Sequence, residues 1–145
     1  MAIVLAPIAR RASPRYRAAR MTASASALVR RVAPPAFWLA LAFAVVMALL
    51  PKPPEFAADK FGDKFHHILA FATLTALAIP AFPQASQLRI AERLSFLGAL
   101  IEVFQSIPAI HRDCDVKDWI ADTLAILAVL ALAQLVRIRR RPQAS

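Results

Sequence analysis

Four apolar blocks, at residues 32–50, about 65–81, about 90–107 and 119–138, constrain this chain more than any other feature. At about 1.5 Å of helix rise per residue, each approaches the ~30 Å hydrocarbon core of a bilayer. Lipid offers no water to backbone N–H and C=O groups, so a spanning segment is a helix or part of a closed barrel. Alternating strand patterns are absent, two glycines stand against eleven prolines, and 59% of residues are apolar. A mean hydropathy of +0.55 is too high for a water-soluble domain of 145 residues. The expectation is therefore all-α: an integral membrane bundle of four transmembrane helices. Pro34 and Pro35 fall in the opening turn of the first block, where a missing N–H costs little. No small-residue cleavage site follows that block, which reads as a retained anchor. The third block contains Glu102 and Gln105, and spans only if both face protein. Trp38 and Trp119, near segment ends, fit interfacial belts.

Charge sets the expected orientation. Of the 18 basic residues, thirteen lie before the first block, after the last, or in the middle connection as Arg89 and Arg93. The other two connections hold Lys52, Lys60, Lys64, Arg112 and Lys117 together with most of the acids. Basic residues collect on the cytoplasmic side, so both termini are expected there, in a multi-pass protein of a bacterial inner membrane. The net charge of +9 then answers to topology and anionic lipid, and no nucleic-acid partner is expected. Residues 1–32 form a basic arm without an acid, expected to be disordered and cytoplasmic; its composition also fits a transit peptide, and Met21 offers an alternative start. Residues 33–138 make the bundle, and residues 139–145 a basic cytoplasmic tail.

Ionisable residues inside spans are costly and mark either function or a paired network. Asp63 and His67 are four apart, Glu102 and Gln105 three apart, and Asp118 and Asp122 four apart, so each pair shares one helix face. Lys64 and Arg112 stand beside them in sequence. By helix rise, His67, Glu102 and Asp122 lie at one level, ~5–10 Å below the outer surface. The simplest packing brings the three faces together, with Lys64, Arg112 and His67 as partners for Glu102 and Asp122.

These residues resemble a known pattern. Asp63-Lys64 followed by His67, Ile101-Glu102-Val103-Phe104-Gln105, Arg112, and Asp118-Trp119-Ile120-Ala121-Asp122-Thr123-Leu124 are similar to the motifs of the VanZ-like family of bacterial membrane proteins. There the pattern runs D-K-x-x-H, I-E-x-x-Q, R, then D-x-x-A-N-T-x-G, and the likeness covers about residues 37–136. Asp122 stands where that family usually has Asn, and Ala125 where it usually has Gly. The resemblance implies a four-helix membrane protein linked to reduced susceptibility to the glycopeptide teicoplanin; it supplies no reaction.

Three functions are compatible with this set. The first is binding or modulation of an envelope lipid or precursor at the periplasmic face, with Asp63, Lys64, Gln105, Arg112 and Asp118 as substrate-binding residues. A membrane enzyme is the alternative, with Glu102, His67 and Asp122 as its catalytic candidates. A proton-linked transporter is third. Against all three stands a network that only fixes helix register. Asp, Glu and His together can ligate a divalent ion, but no H-E-x-x-H or Cys/His spacing occurs, so no metal site and no cofactor are assigned. Ser106 lacks a base and its orienting partner, which argues against a serine nucleophile. Cys114 is the only cysteine and so a free thiol, and His111 reads as a loop histidine.

Overall fold

The computed structural model describes residues 14–51, 63–112 and 114–139. They form α1 (Pro14–Leu49), α2 (Asp63–Ala81), α3 (Gln87–Gln105), a 3₁₀ turn (Pro108–Ile110) and α4 (Val116–Arg139), with no strand among them. Three helical stretches are long and apolar enough to cross a membrane: Ser26–Leu49, Lys64–Ala81 and Val116–Arg139. The segment α3 has the length, at 19 residues, but carries Arg89, Glu92, Arg93 and Glu102.

Two expectations are corrected at the start of the chain. Residues 14–32 are not a disordered arm; their backbone continues α1 back to Pro14. Ala and Arg are strong helix formers, no glycine interrupts them, and Pro14 stands at the helix start, where its missing N–H is harmless. Pro34 and Pro35 consequently lie inside α1 rather than in an opening turn. There they remove the N–H donors that the carbonyls of Arg30 and Arg31 would otherwise meet. Residues 1–13 and 140–145 lie outside the described residues, as does the greater part of the α1–α2 connection.

Helix α2 is the hub, packing along both α1 and α4, while α3 lies mainly on α4. The core follows helical spacing: Phe71, Leu74 and Ala78 from α2 meet Ile90, Leu94 and Ile101 from α3, Ile126 and Leu130 from α4, and Phe37 from α1. Outside this seam the surface is greasy, with Leu39, Phe43, Phe96, Val103, Leu124 and Leu132 all more than 60% exposed. The buried set meanwhile includes His67, Thr75, Glu102, Gln105, Asp118 and Asp122. Apolar residues outside and ionisable ones inside suit a lipid surround and would be a severe liability in water.

Local chemistry sets the ends. Ser86 caps α3 by accepting the Arg89 N–H at 3.2 Å. After α3, Ile107 and Pro108 enter the 3₁₀ turn, which His111 closes in the left-handed region at φ 53°. Asp115 caps α4: its Oδ1 accepts the Lys117 N–H at 2.9 Å and its carbonyl accepts the Asp118 N–H at 2.7 Å. The chain thereby folds back over the end of α3, carrying Cys114 and Asp115 onto Glu102.

Candidate functional site

The starts of α2 and α4 and the ends of α1 and α3 share one end of the bundle, where the polar residues gather. His67, two turns or less into α2, is buried and its Nδ1 lies 3.3 Å from Oδ2 of Asp122, which is fully buried on α4. Glu102, on the last turn of α3, is also buried, and its Oε2 accepts the Asp115 backbone N–H at 2.9 Å. Its other oxygen, Oε1, and Oδ1 of Asp122 are buried and accept no hydrogen bond of ordinary geometry from a described residue. His67, Glu102 and Asp118 bring one ligand-type atom each within 4.8 Å of the others.

Lys64 forms the rim. Half exposed, it pairs with Asp118 and stands 3.6 Å from Oδ2 of Asp115. Asp118 lies in the first turn of α4, where the helix dipole favours a carboxylate. At Asp115, the Lys117 N–H above all, with the Lys64 and Lys117 charges, holds the carboxyl below its ordinary range. The exposed Cys114 thiol lies against Glu102 and is pushed up from its ordinary value, first by shielding from water and then by that carboxylate.

Close helix approach makes the cluster dense. A Cβ on Gly98 of α3 would stand 3.3 Å from Oδ2 of Asp122 and 3.4 Å from both Phe71 Cζ and Trp119 Cδ1. A side chain there would press on the Asp122 carboxylate, which would have to give by a few tenths of an ångström, while meeting Phe71 and Trp119 at ordinary contact distance. Beside it, Trp119 Nε1–H donates to the Ser95 carbonyl and hydroxyl, both at 3.1 Å, and Ser95 bonds Thr123 at 2.8 Å, which ties α3 to α4 one layer deeper.

The expected site residues divide in three. His67, Glu102, Asp118, Asp122 and Lys64 come together. Gln105 does not join them: its Nε2 donates at 2.9 Å to the carbonyl of Ala48, one of the orphan acceptors at the end of α1. Arg112 lies half-buried in the adjoining connection, and the Asp63 side chain falls outside the described residues. The partners also differ from expectation. Asp122 takes His67, but Glu102 takes backbone and Lys64 takes Asp118 and Asp115. Ser106 only closes α3, donating to the Val103 carbonyl at 2.7 Å. Asp115 and Gly98 escaped the sequence analysis, and Cys114 entered it only as a free thiol, without its contact with Glu102. Asp115 carried a signal, as an Asp just ahead of an apolar helix, and so did Gly98, the one glycine within an apolar block.

The opposite end holds no such group among the described residues. Phe37, Trp38 and Phe82 meet edge to face there, with ring centroids 5.0–6.3 Å apart. A groove of about 330 Å³ opens beside them, lined by these rings, by aliphatic side chains of α3 and by Arg89 and Arg93. Comparison with protein-family models, curated proteins and solved structures finds no match.

Proposed function

We propose that this chain is a multi-pass protein of a bacterial inner membrane, of the VanZ-like kind, whose polar cluster takes the headgroup of an envelope lipid or lipid-linked precursor at the periplasmic face. Susceptibility to glycopeptides such as teicoplanin is the phenotype that such binding would alter. In this reading α3 is the fourth span, and both termini and the α2–α3 connection are cytoplasmic. The charges of α3 suit that role: Arg89, Glu92 and Arg93 lie in its first turns, within reach of headgroups, and Glu102 is buried against protein. Four antiparallel helices put the thirteen basic residues of the ends and middle connection on one side, as the positive-inside tendency requires.

One observation carries the functional part. Lys64 stands half exposed at the mouth of a buried group drawn from three helices, with Asp118 and Asp115 behind it. An ammonium so placed can receive a phosphate or carboxylate, and carboxylates behind it hold it in position. A bundle that needed only packing would do better with apolar residues there.

Two experiments test this. Cys114, the single thiol and an exposed one, should react with a membrane-impermeant maleimide in intact cells once the outer membrane is opened. Reaction only after lysis would invert the topology and remove the periplasmic role. Purified protein incubated with an envelope lipid extract should retain an anionic lipid class, measured by native mass spectrometry, and Lys64→Gln should lose it. Equal retention by the variant would sink the headgroup site.

A specific contact favours enzymatic chemistry as the second reading: Asp122 orients His67 beside Glu102, an arrangement suited to moving a proton. Glu102→Gln separates the two. Binding kept with turnover lost identifies an enzyme, whereas both kept identifies a binder.

A further inference from the structure

The sequence carries no metal-binding motif, because a motif is a spacing along one element and the three groups here come from three. His67 is on α2, Glu102 on α3 and Asp118 on α4, all at least nine-tenths buried, with one ligand-type atom each within 4.8 Å of the other two. Bound to one ion at about 2.0–2.2 Å, such atoms stand ~3–3.5 Å apart, so closure needs side-chain movements of about an ångström. We infer that His67, Glu102 and Asp118 form a binding site for a single divalent first-row metal ion, oriented from behind by Asp122. The inference deepens the headgroup site proposed above and rests on that site being used.

Three observations support it besides the mutual spacing of the ligand atoms. Asp122 Oδ2 lies 3.3 Å from His67 Nδ1. A carboxylate accepting a hydrogen bond from Nδ1–H favours the tautomer whose lone pair is on Nε2, the one a metal requires, and such carboxylate–histidine pairs recur behind metal ligands. Second, Glu102 Oε1 and Asp122 Oδ1 are buried and accept no hydrogen bond of ordinary geometry from a described residue, although each is a strong acceptor and the Cys114 thiol, a weak donor, lies beside Glu102. Third, three buried carboxylates, Glu102, Asp118 and Asp122, gather at this end of the bundle, with the Lys64 ammonium against Asp118. Like charges at this density need a cation or a proton.

The donor set narrows the ion. Imidazole with two carboxylates and no thiolate among the three suits Zn²⁺ or Mn²⁺; Ca²⁺ prefers six to eight oxygens, and Mg²⁺ keeps most of its waters. Three protein ligands leave a coordination position for water or for an anionic oxygen of the headgroup. Lys64, at the rim, then acts as a second positive group on the same headgroup.

Zinc is the probe. The full-length chain carrying Cys114→Ser, which removes the thiol as an adventitious ligand, is purified in detergent, loaded with ZnCl₂, dialysed against metal-free buffer and assayed by elemental analysis. About one zinc per chain should remain, as a three-ligand site predicts. His67→Ala, Glu102→Gln and Asp118→Asn should each abolish retention, and Asp122→Asn should weaken affinity roughly 10- to 100-fold, the usual effect of losing an outer-shell partner. Glu92→Gln, an exposed change elsewhere on α3, should retain the full zinc. No retention by the Cys114→Ser chain, or undiminished retention in Glu102→Gln and Asp118→Asn, overturns the site. Should the variants fail to fold, ¹⁵N-histidine spectra of the otherwise native chain decide: zinc must shift the ring signals of His67, and shifts confined to His66 and His111 overturn the site equally. Lipid retention without zinc refutes the metal and leaves the headgroup role standing; zinc without lipid retention does the reverse.

Discussion

The two ends of the bundle are built on opposite principles. At one, Phe37, Trp38 and Phe82 lock α1 to the end of α2 through ring contacts, and the neighbouring groove is apolar apart from Arg89 and Arg93. At the other, His67, Glu102, Asp118 and Asp122 occupy the space that hydrophobic side chains would fill, and two of their oxygens accept no hydrogen bond of ordinary geometry from a described residue. Helix association in lipid gains little from apolar contact alone, because lipid tails are as apolar as leucine. Close-fitting rings can hold helices together, whereas half-satisfied carboxylates cannot. The first end therefore contributes stability, and the second is where the proposed binding site lies.

Four measurements can break or sharpen that contrast. Phe37→Ala removes a buried ring with two aromatic neighbours and should cost the most, about 3 kcal/mol in unfolding measured in detergent, with lipid retention unchanged in the protein that remains folded. Loss of retention there would mean that the two ends are coupled. Asp122→Ala removes the contact with His67 and should cost about 1–3 kcal/mol while weakening zinc and lipid retention. A smaller effect is expected at Gln105, where the change to Ala deletes one bond to Ala48 and should cost about 1 kcal/mol, loosening α1 at the polar end only. Proteolysis or hydrogen exchange at residues 44–49 would reveal it.

The smallest effect is a rate. Because shielding and Glu102 raise the Cys114 pKa, less thiolate exists at a given pH, and maleimide labelling should be slower than for a free peptide thiol at neutral pH. Glu102→Gln should speed it severalfold and move the pH profile downward; an unchanged profile would separate Cys114 from the cluster. Asp115 responds in the other sense. Its lowered pKa makes its contribution to stability complete above the unfolded value of about 3.9, and lost as pH falls through the lower folded value.

The α-helical class, three helices fit to cross a membrane, and the shared faces of His67, Glu102, Asp118 and Asp122 were all legible in the sequence, because each depends on composition or on spacing within one helix. The helical extension of α1 to Pro14 was not, since an acid-free stretch rich in Ala, Ser and Arg has the composition of a basic arm as well as the helix propensity of Ala and Arg. Partner choice was out of reach for a different reason. Whether Glu102 meets Lys64 or the backbone of Asp115, and whether Gln105 faces the cluster or the carbonyl of Ala48, depends on how helices rotate about their axes. That rotation is decided by contacts between elements, such as the gap that Gly98 leaves for Asp122 and Trp119. Periodicity within a helix places residues on a face; only packing across helices decides what that face meets.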